Sequence, residues 1–173
     1  MHDELTAVDI KKMQEEIEYR EKELMPQIIK EVQVARSFGD LSENYEYKAA
    51  KQEQRKNMSR IRYLKQMVAT AVVIEGKDSD PNDGIAGLFD TVKVRLEYED
   101  DDPEEMEIRL VTTLRQNALE GLISKESPLG KAVMGHRAGD RVYVHTGEAG
   151  GYYCEILGVV KGEDDESLDI SRF

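Results

Sequence analysis

The sequence predicts an α+β chain. A long antiparallel coiled-coil hairpin over residues 1–76 is followed by a small antiparallel β domain with one short helix over 77–160, then by an acidic tail over 161–173. Three observations carry that reading. Two long stretches, 6–36 and 42–74, lack glycine and repeat their apolar residues at spacings of three and four. Only the five residues "SFGDL" separate them, a connection short enough to fold the two arms back on each other. After Gly76 the period changes to two, in segments bounded by Gly, Pro and Asp.

In the first arm the apolar stripe runs Ile10, Met13, Ile17, Leu24, Ile28, Val32, Ala35. Pro26 interrupts it. An interior proline removes a helical N–H and crowds the carbonyl four residues back, at about 3 kcal/mol. The stripe resumes in phase at Ile28, so a kink is expected and not an end. The second arm repeats Tyr47, Ala50, Gln54, Asn57, Ile61, Leu64, Val68, Ala71. Its polar members Gln54 and Asn57 are expected to loosen packing toward the turn. At 1.5 Å per residue each arm would be roughly 45 Å long, more than the width of a small domain, and should project into solvent.

The later segments alternate. "DTVKVRLEYE" and "EMEIRLVTT" flank "DDDPEE", and "RVYVHT" and "GYYCEILGVV" flank "GEAGG", so each pair reads as a β-hairpin. Between the pairs, "SPLGKAVMG" offers Ser127 as helix N-cap, Pro128 at the first helical position and Gly135 past the end. The tail "KGEDDESLDISRF" is acidic and expected to be loosely ordered.

Net charge is −12, unevenly spread. Residues 1–76 carry 13 bases and 14 acids, whereas 77–173 carry 11 and 22. Within the second arm, 45–66 holds seven bases (Lys48, Lys51, Arg55, Lys56, Arg60, Arg62, Lys65) against two acids. An acidic whole excludes indiscriminate binding of free nucleic acid, which depends on neutralising phosphates. A local basic face can still hold a strand that another molecule presents, or can be a solvated helix surface with ion pairs along it. The single cysteine, Cys154, rules out an internal disulfide and suits a reducing compartment. The acidic start "MHDELTAVD" does not resemble a signal peptide, and "MVATAVVI" is too short to cross a bilayer, so a cytoplasmic protein without a membrane partner is expected.

Asp40 and Glu43 stand at the turn between the arms. Two readings apply. Acids at a helix start accept backbone N–H bonds and offset the macrodipole, and Asp40 or Ser42 could cap the second arm in that way. Alternatively the pair faces outward and holds part of a Mg²⁺ shell, since that ion takes hard oxygen ligands and usually keeps waters and substrate phosphates. Other chemistry is scarce. His2, His136 and His145 show no metal spacing, Cys154 has no linked histidine, and "GEAGG" lacks the context of a phosphate loop. No small-molecule substrate and no enzyme acting by itself is expected.

Residues 25–54, "MPQIIKEVQVARSFGDLSENYEYKAAKQEQ", resemble the hairpin-tip signature of the bacterial Gre transcript-cleavage factors. Residues 122–146, "LISKESPLGKAVMGHRAGDRVYVHT", are similar to the FKBP-like C-terminal domain of that family. The resemblance implies an accessory transcription elongation factor with a catalytic tip at 37–45. Its hairpin would enter the secondary channel of RNA polymerase and stimulate the polymerase's own cleavage of backtracked nascent RNA. By position, Asp40 and Glu43 would bind Mg²⁺ shared with the polymerase, and only within that complex. Lys48, Lys51 and Arg55 would face the RNA, and Glu126, Ser127 and Pro128 would dock on the polymerase. A monomer is implied, and so is no prolyl isomerase activity. Two departures stand out: Tyr45 where the family usually has a small residue, and "LRQNALEGLIS" in place of an acidic, proline-containing approach. They leave open a Gre-like paralogue that binds the channel and modulates polymerase without stimulating cleavage.

Overall fold

A computed structural model of the chain describes residues 3–39, 43–75, 80–148 and 150–172. It divides into two units, one of Ile10–Ala71 and one of Glu4–Asp9 with the chain from Val72 onward. The sequence places all of 1–76 in the hairpin. The structure instead gives the six residues before Ile10 to the sheet unit, because Glu4–Thr6 (β1) pairs in parallel with Val72–Ile74 (β2).

The hairpin unit contains most of α1 (Ala7–Tyr19), a π-turn at Arg20–Leu24, α2 (Met25–Ser37) and α3 (Tyr45–Thr70). The π-turn is how the first arm accommodates Pro26. Widening the coil just ahead of the proline lets Met25 N–H bond back to the Arg20 carbonyl, and the ring then follows at the second position of α2. The second arm stops at Thr70, not at residue 74, because the β-branched run Val72–Ile74 takes up the strand with β1.

Between the arms, Met13, Ile28, Ala35 and Leu64 are buried. The polar members of the stripe do not simply weaken the seam. Asn57, 3% exposed, accepts a bond from Arg20 Nη1 at 2.9 Å and donates to the Arg20 carbonyl at 3.4 Å. One residue turn further along, Arg60 is 5% exposed and binds both oxygens of Glu16, at 2.9 and 3.1 Å, while Arg20 Nε adds a third bond at 2.7 Å. Burial by itself would raise the Glu16 pKa; the bonds from Arg60 and Arg20 outweigh it and hold the carboxyl below its ordinary range. Arg60 is therefore a strut between the arms and not part of an outward basic face.

The sheet unit is built on five strands in the order β5-β4-β3-β7-β6: Thr91–Glu97 (β3), Glu104–Val111 (β4), Leu122–Ser124 (β5), Arg141–His145 (β6) and Gly151–Val160 (β7). Both expected β-hairpins form, and β3 and β7 join them antiparallel. The sheet is mixed and not wholly antiparallel, since the short edge strand β5 runs parallel to β4. Alternation places Val92, Val94, Leu96, Ile108, Leu110, Val144, Cys154 and Ile156 on the covered face, where Val133 of the short helix α4 (Pro128–Val133) packs against them. Burial pushes the Cys154 thiol up to about 11, with Glu97 adding to the effect.

The acidic tail is strapped to this unit. Lys161 binds Asp90 at 2.7 Å, Arg109 donates to the Glu163 carbonyl at 2.9 Å, and Ser171 N–H bonds the Leu114 carbonyl at 2.7 Å. Its anchor is Arg115, whose side chain is fully buried between Asp164 at 2.6 Å and Asp9 at 2.5 Å, with the Phe89 ring 5.1 Å away. Burial disfavours that guanidinium's charge, but the bonds to Asp164 and Asp9 prevail and raise its pKa further. The expected loose tail overlooked these partners, because acidic composition alone does not show which bases will meet it. Asp9 also forms a reciprocal cap with Thr6 at the start of α1, so one carboxylate serves both helix and tail.

Candidate functional site

The hairpin turn leaves α2 through Phe38 and Gly39, whose φ of +117° suits only a residue without a side chain, and enters α3 at Tyr45. Asp40 lies outside the described residues, as does Ser42. Glu43 is described: it is exposed, and it has no hydrogen-bond or ion-pair partner among the described residues.

The cap of α3 is a residue the sequence reading missed. Asn44 Oδ1 accepts from Tyr47 N–H at 3.0 Å, and its Nδ2 donates to the Ala35 carbonyl at 2.6 Å. One side chain thus starts the second arm and ties it to the end of the first. Asparagine is among the preferred N-cap residues, so the signal was present, but Asp40, Ser42 and Asn44 all qualify by type. With the cap supplied by Asn44, Glu43 is not needed to satisfy the helix start. A carboxylate exposed at the positive end of a 26-residue helix, with no partner among the described residues, offers oxygens that a cation can take.

Along α3, Lys48, Lys51 and Arg55 follow at spacings that place them on one side of the helix. Lys51 is half-buried and bonds Gln54 at 2.9 Å; Lys48 and Arg55 are exposed. The wider basic segment is partly consumed: Lys56 pairs with Glu53 at 2.9 Å, Lys65 with Glu21 at 2.5 Å, and Arg60 with Glu16. Arg55 and Arg62 form no ion pair among the described residues.

In the sheet unit, Glu126, Ser127 and Pro128 share the turn entering α4. Ser127 Oγ accepts from Gly130 N–H at 3.0 Å and donates to the Ser124 carbonyl at 2.7 Å, so the expected cap is present and its hydroxyl is occupied. Glu126 and Pro128 are exposed beside it, with Lys131 3.4 Å from the Glu126 carboxylate. No group of three or more His, Cys, Asp or Glu side chains converges as a metal centre among the described residues. No helix among them is long and apolar enough to cross a membrane.

An arm-and-turn unit followed by this sheet unit corresponds to two family patterns. Residues 4–73 match the family described as transcription elongation factor, N-terminal, and residues 90–161 the one described as transcription elongation factor, GreA/GreB, C-term. By class the chain is a two-domain transcription elongation factor. Transcription elongation factor GreA of Halalkalibacterium halodurans is 39% identical over 142 residues, covering 82% of this chain and 87% of that protein. GreA of Shouchella clausii is 38% identical over 153 residues, covering 88% and 93%. The chain belongs to the GreA/GreB family of transcription elongation factors. Among solved structures it is similar to GreA factor homolog 1 of Thermus thermophilus, 24% identical, over 93% of this chain and 100% of that one, with a TM-score of 0.42.

Proposed function

We propose that the chain is an accessory factor that inserts its hairpin turn into the secondary channel of RNA polymerase and stimulates the polymerase's own hydrolysis of backtracked nascent RNA. One observation carries the reading furthest: Asn44, not an acid, caps α3, and Glu43 is exposed with no partner among the described residues. Structural work that could have explained a turn carboxylate is already done by its neighbour.

The donor chemistry at the turn fits Mg²⁺. Glu43 and Asp40 would offer hard carboxylate oxygens, too few for a full shell, so polymerase groups, RNA and water must supply the rest. When held there, the ion supplies a Lewis acid that acidifies an attacking water and offsets charge on the phosphate. The chain's own side chains then have separate tasks. Asp40 and Glu43 would hold the cation and orient a water; Lys48, Lys51 and Arg55 would lie against RNA phosphates; Asn44 keeps the second arm tied to the end of the first. Glu126 and Pro128, on the turn that Ser127 caps, dock on the polymerase and raise the effective concentration of the tip at its target.

The test uses stalled, backtracked elongation complexes. Wild-type protein should accelerate release of a short 3′ RNA fragment in a Mg²⁺-dependent way. Asp40→Asn with Glu43→Gln should compete with wild type for polymerase yet release nothing above the intrinsic rate. A double variant that still stimulates, or a wild type that binds and only inhibits, would overturn the reading.

A further inference from the structure

The helix α3 carries three tyrosines, and the structure uses them differently. Tyr47 is half-buried. Tyr63 lies with its ring 5.7 Å from the guanidinium of Arg60, itself fixed by Glu16. Tyr45 is 81% exposed, the first residue of α3, two positions from Glu43. Its only described ring contact is the Lys48 ammonium, 5.6 Å from the ring centroid.

That pairing has a direction. The cation sits over one face of the ring and leaves the rest to solvent. A ring this exposed can be covered by a protein partner or stacked on another π system. Protein burial is disfavoured here: exposed Glu43, Glu46 and Lys48 lie within three positions of Tyr45 along the chain, and an apolar pocket closing over this stretch would have to strip water from those charges. A nucleotide satisfies both groups without that cost, because a base is a flat π surface and its phosphate is an anion within reach of the same lysine.

We propose that Tyr45 and Lys48 form a nucleotide-holding pair, the ring stacking on a base of the extruded RNA and the ammonium meeting the adjoining phosphate. The proposal rests on the function given above and adds a substrate contact to it. Stacking on an aromatic side chain accepts any base, so the pair would hold the RNA end near the carboxylates without selecting sequence.

The experiment compares wild type, Tyr45→Phe, Tyr45→Ala and Lys48→Ala on two backtracked complexes that differ only in whether the extruded 3′ nucleotide is abasic. On the intact RNA, Tyr45→Ala should cut about tenfold more slowly than wild type, while Tyr45→Phe stays within about twofold. On the abasic RNA, wild type should fall to the rate of Tyr45→Ala, which should not fall further. Lys48→Ala should be slower on both. Tyr45→Ala as fast as wild type, Tyr45→Phe as slow as Tyr45→Ala, or a tenfold deficit that persists on abasic RNA would each overturn the pair. A second readout does not require cleavage: 4-thiouridine at the extruded 3′ end should crosslink to residues 43–48 of wild type and lose that crosslink in Tyr45→Ala. Wild type that crosslinks without stimulating cleavage refutes the proposed function alone; wild type without the crosslink refutes the stacking.

Discussion

Asn44→Ala is the substitution that most directly separates the two jobs a polar turn residue can do. The Oδ1 bond to Tyr47 N–H is a helix cap, worth about 1 kcal/mol. The Nδ2 bond to the Ala35 carbonyl is a second, independent contribution of about 1 kcal/mol. Ala35 keeps the Phe38 N–H at 3.3 Å, so its carbonyl is not stranded and no larger penalty arises. Asn44→Ala should therefore weaken the turn by about 2 kcal/mol, roughly a 30-fold rise in local opening. Asn44→Asp keeps the acceptor and loses the donor, for about half that effect. Glu43→Gln, which removes only an exposed charge, should stay within about 0.5 kcal/mol. Hydrogen exchange at the Tyr47 and Lys48 amides reads this turn directly, without assuming that two units unfold together. If Glu43→Gln accelerates exchange as much as Asn44→Ala does, the acid holds the turn and the case for a free carboxylate fails.

Other consequences follow from the same contacts. Glu16 has a folded pKa below its ordinary value of 4.5, so its stabilisation is full above that value and fades as pH falls through the lower folded one. The hairpin should lose stability as pH falls below 4.5, and Glu16→Gln should be weaker at pH 7 and lose much of that slope, as circular dichroism melts would show. Cys154, with its thiol pushed up to about 11, should resist a disulfide reagent at pH 8 in the native protein and react once denatured; rapid native labelling would contradict its burial. A Cβ at Gly130 would fall 2.1 Å from the Ser124 carbonyl oxygen, so Gly130→Ala should cost about 3 kcal/mol in urea unfolding and disturb the Glu126–Pro128 turn. An unchanged midpoint would show that this turn can shift freely.

Much of the architecture is written locally. The 3–4 spacing of Ile10, Met13 and Ile17, the alternation of Val92, Val94 and Leu96, and the Ser127–Pro128 start of α4 each depend on residues within a turn or two of one another. The sequence by itself therefore determined the helical hairpin, both strand pairs and the short helix, and it placed carboxylates at the turn. Only the tertiary structure decided which polar groups are already spoken for. Arg60 reads as one more base on a charged helix until it meets Glu16, 44 positions away. Asp9 and Arg115 stand 106 positions apart, and their contact helps hold the tail that composition alone suggests is loose. The same limit hid the cap: Asp40, Ser42 and Asn44 all qualify by type as N-cap acceptors, and only the folded backbone brings Asn44 Oδ1 to the Tyr47 amide and its Nδ2 to the Ala35 carbonyl. Spacing along the chain specifies which face a residue is on, because backbone geometry repeats. Whether a charge on that face is free for a partner depends on distant residues, and that is settled only when they are packed together.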